Sequence, residues 1–197
     1  MRKYAVCLCC LFLLGLMLWA GNTLAAGQSV PDLATMQKAA EQGDAAAQSF
    51  LGYMYAEGRS VPKDDRKAME WFQKAANQGD AGAQLNLGLM CASGRGAPKD
   101  DRKAAEWFQK AADQGIAQAQ YNLGVMCVNG QGVPKDDRRA VELFQKAADQ
   151  GDAQAQYNLG VMYFNGQGVI RDRQKRCAFI LEAAKQGASS AECVGKT

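Results

Sequence analysis

No histidine occurs among the 197 residues. That absence removes the usual general base at neutral pH, the serine–histidine and cysteine–histidine nucleophile pairs, and the commonest metal ligand. No catalytic residue, cofactor or metal site is therefore expected. An excess of charge of one sign is also missing. The net charge is +3, and without Arg2 and Lys3 the chain holds 21 basic against 20 acidic residues, which disfavours a nucleic-acid partner. Cysteine is sparse: of seven, Cys7, Cys9 and Cys10 fall in the first ten residues, leaving Cys91, Cys127, Cys177 and Cys193. Four in about 170 residues are too few for a disulfide scaffold. Stability has to come from a core, which 48% hydrophobic content can supply.

Charge is absent altogether from Tyr4 to Gly27, directly after Arg2 and Lys3, and small residues follow at Thr23, Ala25 and Ala26. This three-part layout is that of a secretory signal, residues 1–26, cleaved near Ala25 or Ala26. It predicts a periplasmic or secreted protein with no stable membrane insertion after cleavage. The competing reading is an uncleaved anchor, since the uncharged stretch approaches the roughly 20 residues of a bilayer crossing.

What is present in abundance is repetition. Shifted by 36 residues, AAAQSFLGYMYAEGRSVPKDDRKAMEWFQKAANQGD from Ala45 recurs as AGAQLNLGLMCASGRGAPKDDRKAAEWFQKAADQGI from Ala81. It returns from Ala117 and, more loosely, from Ala153. The organisation is a leading half-repeat and cap over 27–44, repeats over 45–80, 81–116, 117–152 and 153–188, and a tail over 189–197. Atypical ends suit a stacked array, whose terminal faces have no neighbour.

Each unit carries two helical periodicities. Ala47, Leu51 and Met54 fall at i, i+4, i+7, and Ala68, Phe72, Ala75 and Ala76 at i, i+4, i+7, i+8. Gly58 and its copies close the first helix and Gly79 and its copies the second, while Asp64, Asp100 and Asp136 are placed as N-caps. Gly52, Gly88, Gly124 and Gly160 sit mid-helix, where glycine costs about 0.8–1.0 kcal/mol relative to alanine. A close approach of the paired helix would offset that cost. Trp71, Trp107, Leu143 and Phe179, with Phe72, Phe108, Phe144 and Ile180 beside them, are expected to form a continuous core. Cys91 and Cys127 stand where tyrosines stand in the outer repeats and are expected to be small core residues.

The pattern A-x-A-Q-x-x-L-G-x-M-[YC], followed by G-V-P-K-D and F-x-K-A-A-x-Q-G-D, resembles the Sel1-like repeat, a longer relative of the tetratricopeptide repeat. The resemblance implies an all-α, right-handed superhelical α/α solenoid whose first helices line a concave face. It also implies an adaptor that binds a protein or peptide, exported in bacterial members. Some cysteine-rich exported relatives are described as penicillin-binding or weakly β-lactam-hydrolysing, which makes an envelope β-lactam-interacting protein the alternative. Their cysteine pair falls where this chain has Ala76 and Ala83, Ala112 and Ala119, and Ala148 and Ala155.

Candidate sites are few. Ser60 and Lys63 have the S-x-x-K spacing of serine β-lactamases, but in a proline-containing loop rather than on a helix. The acidic pairs, such as Asp64 with Asp65, are neighbours that do not face each other on a helix and suit its N-terminus. Arg171, Arg173, Lys175 and Arg176 form a basic cluster read as a solvated edge, with an anionic partner as the alternative. Cys177 and Cys193 are the candidate disulfide. Asn86, Asn122 and Asn158 recur on the first helix, with Tyr121 and Tyr157 beside two of them. Two uses are open: holding a bound peptide backbone through amides that both donate and accept, or tying neighbouring helices together.

Overall fold

The computed structural model describes residues 33–187. Among them are nine helices: α1 (Leu33–Glu41), α2 (Ala45–Glu57), α3 (Asp65–Asn77), α4 (Ala81–Ser93), α5 (Asp101–Asp113), α6 (Ala117–Asn129), α7 (Asp137–Asp149), α8 (Ala153–Asn165) and α9 (Arg173–Lys185). No strand interrupts them among the described residues. The chain is an all-helical solenoid in which α2/α3, α4/α5, α6/α7 and α8/α9 pair, and from α2 on each helix packs against its successor. The signal-type segment and the tail with Cys193 lie outside the described residues.

Local chemistry sets where each helix starts and stops. Asp44, Asp80 and Asp152 cap the first helices, each carboxylate accepting from the backbone N–H three residues on, at 2.6–2.8 Å. Ile116 occupies the same place before α6 and makes no side-chain cap. Asp64, Asp100, Asp136 and Asp172 cap the second helices. Gly58, Gly94, Gly130 and Gly166 end the first helices with φ of 67–72°, a left-handed turn that glycine adopts without strain.

The mid-helix glycines are where the two helices of a pair meet. A Cβ on Gly52, Gly88 or Gly124 would lie 2.6, 2.5 or 2.7 Å from the ring of Phe72, Phe108 or Phe144, and one on Gly160 would lie 2.7 Å from Ile180 Cγ1. Each ring therefore fills the space where a side chain would be. Phe72, Phe108 and Phe144 are buried with Leu51, Leu87, Leu123 and Leu159; the core expected to be continuous is instead two clusters, one with Phe72 and Leu87 and one with Phe108, Leu123, Phe144 and Leu159, with the half-buried Met69 and Trp107 packed against both.

The neighbouring row departs from expectation. Leu143 is buried, but Trp71, Trp107 and Phe179 are only half-buried. Lysine ammonium groups one turn on lie 4.0 Å from the Trp71 ring and 3.9 Å from the Trp107 ring. An indole at the edge of the core keeps its face for a cation, a favourable arrangement where water reaches.

Successive repeats are joined by glutamines. Gln48, Gln84, Gln120 and Gln156 are the buried polar residues of the array. Each Nε2 donates to a carbonyl eight residues back, on the preceding second helix: Ala40, Ala76, Ala112 and Ala148, at 2.9–3.5 Å. Each Oε1 accepts from a glutamine thirty residues on, at the end of its own repeat: Gln78, Gln114, Gln150 and Gln186, at 2.8–3.2 Å. One side chain thus binds three helices, and its buried amide is satisfied on both sides. A second link joins repeats one and two, where the Arg95 guanidinium meets Asp65 at 2.6 Å and donates to the Ala56 carbonyl at 3.1 Å. The guanidinium holds the Asp65 carboxyl below its ordinary range.

Candidate functional site: the grooves between first helices

The two helices of a repeat differ in kind. The second helices α3, α5 and α7 bury one apolar stripe and present charge outward, as in Arg102, Glu106 and Lys110. The first helices α2, α4, α6 and α8 carry a single charged residue between them, Glu57. With one row buried in the core, a second apolar row is left at the surface. Phe50, Tyr53, Leu89, Tyr157 and Phe164 are exposed there, and Leu85, Tyr121, Val125 and Val161 are half-buried. A run of apolar surface on one face is a feature of interaction sites rather than of an inert exterior.

First helices of successive repeats touch only sparingly, because each is separated from the next by a second helix. Grooves open between them. One, of about 250 Å³, has Leu89 and Ala92 of α4 on one side and Asn122, Val125 and Met126 of α6 on the other, with Phe108 below. The next, of about 210 Å³, has Val125 and Val128 of α6 facing Asn158, Val161 and Met162 of α8, with Phe144 below. Seven lining residues of the second groove are those of the first displaced by 36 positions; Lys99, Asp101 and Tyr121 line only the first and Asn129 only the second.

The asparagine ladder lies on this face. Asn122 and Asn158 line the two grooves, and Asn86 is half-buried on α4. The Asn122 Oδ1 accepts from Gln118 Nε2 at 3.4 Å within the same helix, and its Nδ2 is buried with no partner among the described residues. None of the three is hydrogen-bonded to a neighbouring helix. The inter-repeat tie belongs instead to the glutamines. Tyr121 also lines the first groove and packs on Phe144, ring centroids 5.8 Å apart. Its counterpart Tyr157 is exposed and lies outside the lining of the second.

The remaining candidate groups are not gathered into a reactive constellation. Ser60 is exposed in a loop with a left-handed φ of 59°, as at Gly96, Gly132 and Gly168, and Lys63 is exposed in the same loop. At those three glycines a Cβ would overlap the carbonyl of Asp65, Asp101 or Asp137 in the preceding repeat, so only the first repeat can place a serine there. Cys91 and Cys127 are buried free thiols whose pKa burial raises, so they are poor nucleophiles. Cys177 is half-buried on α9, and its pairing with Cys193 lies outside the described residues. Arg171 and Arg176 both stand over Phe164, at 5.2 and 4.3 Å. No group of three or more cysteine or acidic residues is placed to hold a metal ion among the described residues.

The Sel1 repeat pattern matches residues 36–44, 45–80, 81–116, 117–152 and 153–187. The chain belongs to the Sel1 repeat family. Solved Sel1 repeat structures share its fold. A protective antigen present in uropathogenic Escherichia coli strains, displaying this repeat fold, is 43% identical over 80% of this chain, with a TM-score of 0.77. A Sel1 repeat protein from Oxalobacter formigenes is 37% identical over 75% of this chain, with a TM-score of 0.72. The chain spans 34% of the first and 59% of the second. No curated protein matches the chain. Sel1 repeats typically form scaffolds for protein–protein interaction and are generally not enzymes. Ala76, Ala83, Ala112, Ala119, Ala148 and Ala155, where the resemblance to cysteine-rich members would place cysteines, are buried alanines. No helix among the described residues is long and apolar enough to cross a membrane.

Proposed function

We propose that this Sel1 repeat chain is an exported scaffold that holds a protein partner on its first-helix face. The observation that carries the reading is the pair of grooves between α4, α6 and α8, which share seven lining positions one repeat apart, each with one asparagine of the ladder. An array whose second helices present charge to water while its first helices present valine, leucine, tyrosine and asparagine divides its surface into a solvated side and a binding side. Export rests on the uncharged stretch after Arg2 and Lys3, and the N-terminal sequence of the processed protein checks it.

The binding reading is tested with Asn86, Asn122 and Asn158 all replaced by alanine. Since none of the three holds a neighbouring helix, the expected result is reduced recovery of the partner from envelope extract with an unchanged thermal melt. A collapse of the melt would return the asparagines to a structural role, and full recovery of the partner would move the binding surface elsewhere.

A further inference from the structure

We infer that the second repeat binds a small phenol, its ring lying beside Trp107 in the place that the Tyr163 ring fills two repeats on. The inference concerns a cavity between second helices and does not rest on the reading of the first-helix face.

A cavity of about 380 Å³ opens between Met69 and Gln73 of α3 and Lys103 and Trp107 of α5, with Cys91 and the loop residue Ala97 completing its wall. It stands where the two core clusters meet, since Met69 and Trp107 pack against both. The sequence accounts for the space. Cys91 stands where the first and fourth repeats have Tyr55 and Tyr163, and Ala97 where the other three have Val61, Val133 and Val169. Both trimmed positions line the cavity. The third repeat shares the cysteine but keeps the valine and has Leu143 in place of Trp107, and there Cys127 and Leu143 are both buried.

The fourth repeat shows what the space suits. Tyr163 stacks on Phe179, the counterpart of Trp107, with ring centroids 5.8 Å apart and planes 11° from parallel, and the Lys175 ammonium stands 5.1 Å from the Tyr163 centroid. In the first repeat Lys67 likewise stands 5.4 Å from the Tyr55 centroid while reaching Asp64 at 4.0 Å. Lys103 keeps the matching partner, Asp100 at 3.5 Å, but the residue that would bring a ring to it is Cys91. A free aromatic ring in the cavity gains an indole to stack on and a cation over its face. A saturated ring of the same size gains only burial.

The hydroxyl follows from Gln73. In the third repeat the Gln109 Oε1 accepts from the Arg139 guanidinium across the corresponding space. The equivalent pair in the second repeat is Gln73 and Lys103, and Lys103 turns to Asp100 instead. The Gln73 Nε2 donates to Asn77 at 2.9 Å, which leaves its Oε1 without a donor among the described residues. An amide oxygen accepts only, so the ligand group that suits it is an O–H or N–H, and a phenol carries one at the ring edge. Walls drawn from three helices and a loop, mostly apolar with a few polar groups, are those of a small-molecule site.

The test is isothermal titration of the purified protein with p-cresol, the tyrosine side chain as a free molecule. Saturable binding at one site is expected, with none of 4-methylcyclohexanol, which has a similar outline without the π face. Cys91→Tyr supplies the ring covalently, so p-cresol binding is lost while the thermal melt stays level or rises. Cys127→Tyr, made where no such room exists, lowers the melt. Lys103→Gln weakens p-cresol about two- to fivefold, and Gln73→Leu narrows the preference for p-cresol over toluene. Absence of p-cresol binding up to its solubility limit, equal binding of 4-methylcyclohexanol, or binding retained in Cys91→Tyr would overturn the inference. So would a melt lowered as far by Cys91→Tyr as by Cys127→Tyr. Binding of a capped glycyl-tyrosyl-glycine peptide with none of p-cresol would overturn the assignment to a free molecule.

Discussion

Replacing Gly124 by leucine puts a side chain where a ring already sits. A Cβ at Gly124 would lie 2.7 Å from Phe144 Cε1 and 2.9 Å from Cδ1, and Phe144 is 1% exposed, so the ring has to leave its packed position to admit a side chain. The penalty lies between ordinary overpacking, about 1–3 kcal/mol, and eviction of a core phenylalanine, about 3–5 kcal/mol. A leucine whose first carbon already overlaps the ring falls toward the upper end. Leaving glycine behind in mid-helix returns about 1 kcal/mol. The net loss is about 2–4 kcal/mol, which at about 2–4 °C per kcal/mol lowers the melting temperature by roughly 5–15 °C. Thermal melts followed by circular dichroism at 222 nm measure it. Gly82→Ala is the control: the new Cβ meets only an Asp80 carboxylate oxygen at 3.4 Å, so the melt stays level or rises. An unchanged melt for Gly124→Leu would refute the close approach of α6 and α7 on which the core description depends.

Three further outcomes follow from the same contacts. Ile116→Asp supplies the one missing first-helix cap and raises stability by about 0.5–1 kcal/mol in chemical denaturation; a loss would mean that the half-buried Ile116 contributes more by packing than a cap returns. Gln120→Leu removes the hydrogen bonds to the Ala112 carbonyl and from Gln150 and lowers stability by about 1–3 kcal/mol, with early loss of protection on α6 in hydrogen exchange; an indifferent melt would show that the relay is dispensable. Arg95→Met removes the group that depresses the Asp65 carboxyl. A carboxyl with a lowered folded-state pKa adds stability that is present above its ordinary value, 3.8, and lost as pH falls through the lowered one. The stability gap between wild type and Arg95→Met is therefore level above about pH 4 and narrows below it; a gap independent of pH would exclude that linkage.

Much of the fold could be read because repetition turns weak local signals into strong ones. A single glycine inside a helix is ambiguous, but four spaced 36 residues apart had to share a reason, and the rings of Phe72, Phe108 and Phe144 supply it. The caps at Asp64, Asp100 and Asp136 followed from side chains long known to accept backbone N–H groups. What escaped was the work of Gln48 and its copies. Their partners lie eight residues back and thirty ahead, separations that meet only once three helices are packed, so no local pattern announces them. The asparagines show the converse: their recurrence was visible, whereas the grooves beside them exist only between repeats. The tryptophans were assigned to the core by size, yet their place at its edge depends on lysines a turn away. Ile116 could have been read from the replacement of Q-G-D by Q-G-I, the break in that series that falls ahead of a first helix.

The central claim is that the first-helix face, and not the charged second-helix face, meets the partner. A photo-crosslinking amino acid placed in turn at Tyr157 on α8, Leu89 on α4, and Glu106 and Glu142 on the second helices tests it in intact cells. All four positions are exposed, so access to the probe does not bias the comparison. Adducts of one defined mass from Tyr157 and Leu89, with none from Glu106 or Glu142, are the predicted result. Adducts confined to Glu106 and Glu142 would contradict the account.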